Sequence, residues 1–166
     1  MNPFRHRPIG LPALALLLLA VGCSSADGDT STAVPGPDAK TTALCRNLDK
    51  VLPSKVDGLS RRDPEPASAL TAGWGGAEII LRCGVAQPPK MIDPEVAQGA
   101  DADAVAGGVD GVDWLMEKRD GGGYLFTTAR RSVYVEVSVS ADADTSGALI
   151  DLAPAIKKAI PEGIAD

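Results

Sequence analysis

The chain has 166 residues, with 22 acidic and 16 basic side chains, a formal net charge of −6, three cysteines and one histidine. That length suits one ordinary domain beside shorter segments. The acidic balance argues against nucleic acid as a partner, whose phosphates call for a basic face.

Residues 1–10 carry Arg5 and Arg7, and residues 11–23, LPALALLLLAVGC, follow as an apolar run closed by small residues and a cysteine. A charged start, an apolar stretch of about a dozen residues and a small-residue cleavage site describe a secretory signal; a spanning helix needs roughly 20 apolar residues. Ala20-Val21-Gly22-Cys23 resembles a bacterial lipobox, with Ala20 where Leu is commonest. There the signal is removed and the cysteine sulfur receives a diacylglyceryl group. The alternative is a plain secretory signal with an incidental cysteine. On the lipobox reading, residues 1–22 are signal and Cys23 is the lipid attachment site. The protein then sits on the outer face of the cytoplasmic membrane, held by covalent lipid. Two or three long acyl chains, at about 0.8 kcal/mol per buried CH2, anchor far more firmly than one.

Removing residues 1–22 takes away Arg5, Arg7 and the one histidine, His6, and none of the 22 acidic residues. A mature chain without imidazole has no Ser-His-Asp triad, no Cys-His pair and no His-ligated zinc or haem. No cofactor and no metal are expected. Cys45 and Cys83 remain, and in an oxidising compartment such a pair most often forms a disulfide, as against two separate thiols or an intermolecular bond. Closing a loop of about 40 residues stabilises a fold by roughly 3–4 kcal/mol in the chain-entropy model.

Residues 24–40, SSADGDTSTAVPGPDAK, are small, polar, Gly and Pro residues that cannot bury a core, so residues 23–40 are expected to form a lipidated, flexible tether. A single disulfide-stapled domain is expected over 41–166. Thr41 or Thr42 caps a first helix. Leu44, Leu48, Val51 and Leu52 then recur at helical spacing, Cys45 borders the stripe, and Pro53 ends it. Residues 56–62 read as a short strand, and the prolines of Asp63-Pro64-Glu65-Pro66 forbid regular pairing. The chain turns at Trp74-Gly75-Gly76 into a strand over 77–83. Ile79, Leu81 and Cys83 lie on one side of it, Ile80 and Arg82 on the other, which aims Cys83 at the first helix. Residues 88–108 carry no clear pattern and leave helix or irregular loop open.

Residues 109–118 alternate, with Val112, Trp114 and Met116 on one face. Asp120-Gly121-Gly122-Gly123 makes a hairpin turn. A strand over 124–129 follows, and a second turn at Arg130-Arg131 feeds 133–139. There Val133, Val135, Val137 and Val139 share one face, opposite Tyr134, Glu136 and Ser138. Asp142 and Asp144 precede a C-terminal helix, where the helix dipole favours acids. Leu149, Leu152 or Ala153, Ile156 and Ile160 make its buried stripe. Pro154 either kinks a helix that begins near Ser146 or stands in the first turn of one that begins near Asp151. The sum is α+β: a mainly antiparallel sheet of about five strands, with an N-terminal and a C-terminal helix packed on one face.

Leu44-Cys45, Trp74-Gly75, Leu81-Arg82-Cys83-Gly84-Val85, Val112-Asp113-Trp114, Tyr134-Val135-Glu136-Val137 and the last helix together resemble an actinobacterial family of predicted lipoproteins, catalogued as a domain of unknown function, number 3515. The resemblance covers most of residues 41–161. It implies an envelope location and a Cys45–Cys83 pair, and it brings no activity.

Several patterns suggest chemistry and fall short of it. Asp142-x-Asp144-x-Ser146-Gly147 opens like a calcium loop, but Ala153 stands where the bidentate Glu is needed, so these acids read as helix caps. Gly107-Gly108 and Gly121-Gly122-Gly123 lack the Gly-Lys-Ser/Thr ending of a phosphate loop and read as turns. Paired carboxylates are the one catalytic device left to a His-free chain. Glu78, Asp113, Glu117 and Glu136 are the candidates, in a sequence with few aromatics to stack a sugar. Arg82 is the residue singled out for binding, flanked by Tyr134, Glu136 or an indole such as Trp114, because Arg beside aromatics holds carboxylate or phosphate bidentately. The competing role is a cross-strand ion pair with Glu136. Trp74 and Trp114 otherwise read as core. The sequence therefore predicts a non-enzymatic envelope lipoprotein that binds an envelope protein or a cell-wall fragment. The competing class is a carboxylate-dependent hydrolase of cell-wall polymer.

Overall fold

The computed structural model describes residues 32–165. The expected signal over 1–22 and the expected lipid attachment site at Cys23 lie outside the described residues. Helix α1 spans Ala39–Asp49, and its N-cap is Asp38, whose carboxylate accepts from the Thr41 amide at 2.9 Å. Thr41 and Thr42, expected as caps, instead lie in the first turn; Asp is at least as good an N-cap as Thr, and the Thr42 hydroxyl is left to donate to the Pro37 carbonyl. The strand expected over 56–62 is a two-stranded hairpin, β1 (Lys55–Val56) and β2 (Leu59–Ser60). Asp57 and Gly58 between them both hold positive φ, at 50° and 74°, as a two-residue hairpin turn demands.

The main sheet has six strands: β3 (Thr71–Trp74), β4 (Ile79–Cys83), β5 (Ala104–Val109), β6 (Val112–Lys118), β7 (Tyr124–Ala129) and β8 (Val135–Val139). Their spatial order is β3-β4-β8-β7-β6-β5, and every pair is antiparallel. The fold is thus α+β as expected, with more strands than the five that the sequence suggested. Two strands were hidden. β3 is buried at all four positions, so it shows no alternation. β5, AVAGGV, is poor in strand-forming residues and is cut from β6 by Asp110-Gly111, another two-residue turn with φ of 44° and 74°. The stretch 88–108 also contains a 3-10 turn at Pro89–Ile92 and a one-turn helix, α2 (Pro94–Ala97).

Helix α3 spans Thr145–Ala159 with Pro154 inside it, so the helix that begins near Ser146 is the one formed. Asp144 caps it by accepting from the Ser146 amide at 3.0 Å. Asp57, at the tip of the first hairpin, accepts from the Asp144 amide, and its own amide donates to Asp151. That small hairpin therefore braces the start of α3.

Helices α1 and α3 pack on one face of the sheet. The core there joins Cys45 and Leu48 of α1, Leu149, Leu152 and Ile156 of α3, and Leu81, Trp114, Phe126, Val135, Val137 and Val139 of the sheet. Each large aliphatic side chain buried this way contributes about 1.5–3 kcal/mol. Cys45 and Cys83 form a disulfide with a Cα–Cα separation of 5.6 Å, both 1% exposed, which pins α1 to β4. Parts of the second face are covered by other segments. Val96 of α2, with Met91, packs on Ala104 and Leu115 at the β5–β6 end. At the β3–β4 end residues 32–38 cross as a strap: the Thr32 amide donates to the Glu65 carbonyl at 2.9 Å, and Pro37 lies over Gly84. A Cβ on Gly84, whose φ is +83°, would come within 2.6 Å of Pro37 Cγ. The segment read as tether is held on the domain from Thr32 onward.

Candidate functional site

The second face carries a row of cross-strand neighbours, one from each strand. Thr71 pairs with Arg82, Arg82 with Glu136, Glu136 with Thr127, Thr127 with Leu115 and Leu115 with Ala106. The antiparallel register and the two-residue alternation place them together. Arg82 is the pivot of the row. Its Nη1 donates to Glu136 Oε1 at 3.0 Å and its Nε to the Ala33 carbonyl of the strap at 3.0 Å. The cross-strand ion pair weighed from the sequence is present, and Arg82 also holds the strap.

Two clefts meet at Arg82. One, of about 410 Å³, lies under the strap and is lined by Pro35, Pro37, Asp38, Thr41, Arg82 and Tyr134. The other, of about 420 Å³, is lined by Thr32, Arg82, Arg119, Leu125, Glu136 and Ser138. The strap runs between them, with Thr32 on one side and Pro35 on the other. Arg119 follows β6 at the lip of the second cleft, and among the described residues its guanidinium meets no partner. Two guanidinium groups and the Ser138 hydroxyl thus line a cleft floored by Leu125 and Ile80. Such a donor set suits a carboxylate or a phosphate.

Tyr134 lines the first cleft, and its hydroxyl accepts from Gln87 Nε2 at 2.8 Å. Trp114 does not join this group. It lies on the helix face, 2% exposed, edge-on to Phe126 at 6.3 Å. Alternation along β6 sends residues 112, 114 and 116 to the core, opposite Asp113, Leu115 and Glu117. Trp74 is also core, with its indole donating to the Pro53 carbonyl. The carboxylates divide as well. Asp113 is held by Arg130, whose Nε donates to it at 2.7 Å, and Glu78 lies in the β3–β4 turn. Glu117 and Glu136 share the second face. Burial holds the Glu117 carboxyl above its ordinary range, opposed by the Lys90 ammonium and reinforced by the negative charges of Glu136 and Asp101. Between the strands that carry them, Thr127 is fully buried and its Oγ1 has no partner. Lys90 and Asp101 form an ion pair that ties the 3-10 turn to the approach to β5. Each holds the other in its charged form, Asp101 below and Lys90 above the usual range.

Arg119, Ser138, Thr127 and the strap carried no motif in the sequence. The Ser138 position was legible as the wet side of a clear alternation. Arg119 was not, because it follows the last residue of the expected strand, where the alternation no longer assigns a face. Among the described residues no helix is long and apolar enough to cross a membrane, and no three potential metal ligands stand together. A family model described as protein of unknown function (DUF3515) matches residues 9–165. No curated protein and no solved structure matches the chain.

Proposed function

The chain belongs to the DUF3515 family, and from that premise we propose that it is a lipid-anchored protein of the cell envelope that binds an acidic envelope ligand in the clefts around Arg82 on the second face of its sheet. The observation that carries the binding part is Arg82 at the junction of two clefts, with Arg119 at the lip of one of them. A cell-wall fragment bearing a carboxylate, or an envelope protein presenting one, fits that donor set. The address rests on the lipobox-like Ala20-Val21-Gly22-Cys23 and on the Cys45–Cys83 disulfide, a bond that oxidising compartments permit. Because the strap leads back toward Cys23 and is clamped by Arg82, ligand and tether meet at one side chain.

Cys23→Ser is expected to release the protein from membranes; a variant that stays membrane-bound and unprocessed refutes lipid anchoring. For the ligand, thermal melts of the purified protein against muropeptides, D-Ala-D-Ala peptides, wall sugars and lipid headgroups give the test. A ligand at about 100 times its Kd adds roughly 2.7 kcal/mol, which for a domain of this size lifts Tm by roughly 10 °C. The shift should vanish in Arg82→Ala and shrink in Arg119→Ala. A shift that survives Arg82→Ala removes this face from the account.

The hydrolase reading keeps one supporting observation, the shared face of Glu117 and Glu136 with the Glu117 carboxyl raised. A carboxyl raised by burial, with a second carboxylate on the same face, is one ingredient of acid–base glycoside hydrolysis. Digestion of purified wall material that stops in Glu117→Gln favours that class, and no digestion by the native protein ends it.

A further inference from the structure

The two edges of the six-stranded sheet are treated differently. β3 is covered by the chain itself: Arg61 bridges Trp74, the Arg62 amide donates to the Gly73 carbonyl at 2.8 Å, and the Gly75 amide to the Ser60 carbonyl at 3.0 Å. β5 has no such cover. Val109 and Val112 flank the two-residue turn, so residues 105, 107 and 109 turn their backbone groups to β6, and 104, 106 and 108 turn theirs outward. The outward Ala104 amide is taken by Asp101, whereas among the described residues the outward amides and carbonyls of Ala106 and Gly108 meet nothing. Beyond the Asp101 carboxylate at its start, the strand carries no device that blunts an edge: it has no charge and no Pro, and its register runs without a bulge from Ala104 to Val109.

We infer that β5 is a self-pairing edge, at which a second copy of this chain adds antiparallel and joins two six-stranded sheets. A two-fold axis beside Ala106 sets Ala106 against Ala106, Val105 against Gly107, and Ala104, whose amide stays with Asp101, against Gly108 of the other copy. The pairing of Val105 with Gly107 explains the composition of the strand. Val105 is 42% exposed, and nothing lies within 4 Å of where a Gly107 side chain would begin. Val105 of one copy thus fills the space above Gly107 of the other, at the mouth of an apolar cleft of about 120 Å³ walled by Trp114, Phe126 and Leu149. On the opposite face the Ala106 pair lies beside an apolar cleft that includes Met91, Leu115 and the 72% exposed Ile92. At each end of the seam the nearby charges are paired within one copy, Asp103 with Lys118 and Asp110 with Lys157, so neither end sets an unpaired charge against the approaching strand. Five residues of added strand bury an area below the roughly 1,200 Å² of a standard interface, so the dimer is weak and concentration-dependent.

Sedimentation of the purified full chain tests this, together with oxidative crosslinking of Ala106→Cys. Native protein should pass from monomer to dimer with rising concentration, and Ala106→Pro should raise the midpoint at least tenfold. Pro at that position removes only an outward amide, a placement that edge strands tolerate, and an intact Cys45–Cys83 bond reports that the variant has folded. Ala106→Cys should form a covalent dimer, whereas the exposed Lys158→Cys on α3 should not. A native protein that stays monomeric at every concentration, crosslinking that is equal at both positions, or a dimer indifferent to Ala106→Pro overturns the proposal, even where β5 captures a strand from some other protein.

Discussion

Strand β8 carries two surfaces on five residues. Val135, Val137 and Val139 are each 1% exposed or less, packed under the helices, while Glu136 and Ser138 between them reach the open face. The same opposition extends across the sheet. The helix face is apolar, continuous and stapled by a disulfide; the other mixes Arg82, Glu136, Thr127 and Ser138 with Ile80, Leu115 and Leu125. The buried apolar core therefore concentrates on one face, and the Arg82–Glu136 pair stands on the other. A residue's position in the two-residue alternation decides to which it contributes.

The largest expected effects lie on the helix face. Leu152→Ala, at a fully buried position of α3, should cost about 2–5 kcal/mol. Leu125→Ala, half-buried on the other face, should cost less than half of that. Urea melts of the two variants measure the contrast, and equal losses would erase the distinction between the faces. Next comes the staple. Cys45→Ser with Cys83→Ser should cost roughly 3–4 kcal/mol, seen as a lower urea midpoint. Because Arg82 adjoins Cys83 but points to the other face, ligand shifts measured well below the melting temperature should survive in that double variant.

This division explains what could be read from the sequence. The helix face was legible because burial writes a period: Leu81 with Cys83, the four valines of 133–139 and the stripe of α3 all stand where the alternation and the helical spacing put them. Arg82 and Glu136 were legible as outward residues on two such strands. Their pairing was one of the two roles that the sequence left to Arg82. The strap was not legible, since an extended Pro-Gly-Pro segment docked by backbone carbonyls leaves no side-chain pattern. β5 was hidden for a related reason, because an edge strand needs little side-chain volume to pair. Trp114 was offered as a flank for Arg82, although the alternation of 112, 114 and 116 already assigned it to the core.

Smaller effects sharpen the account of the open face. A double-mutant cycle on Arg82→Ala and Glu136→Ala should return a coupling of only about 0.2–1 kcal/mol, since both groups keep contact with solvent. Ligand binding should nonetheless be lost in Arg82→Ala. A coupling of several kcal/mol would make the pair a structural element and weaken the case for a site.

The smallest effect concerns Glu117. Burial, aided by the charge of Glu136, raises its carboxyl in the folded state, so the fold binds that proton more tightly than the unfolded chain does. The contribution of Glu117 to stability is therefore fully present below the ordinary carboxylate range and is lost as pH rises through the raised value. Glu117→Gln, which stays neutral, should raise Tm relative to the native protein at pH 7 and lose that advantage at pH 4. Asp101 works in the opposite sense. Its carboxyl is held low by the hydrogen bond from Lys90, so the stability it contributes is present above the carboxylate range and fades on acidification. The Glu117→Gln difference should accordingly persist in an Asp101→Asn background, because Glu117 owes its shift first to burial and only in small part to the charge of Asp101. A Glu117→Gln advantage that grew at pH 4 would reverse the assignment. It would mean that Glu117 is stabilised as an anion, by Lys90 rather than against burial, and that the open face has no protonated acid to offer a hydrolase.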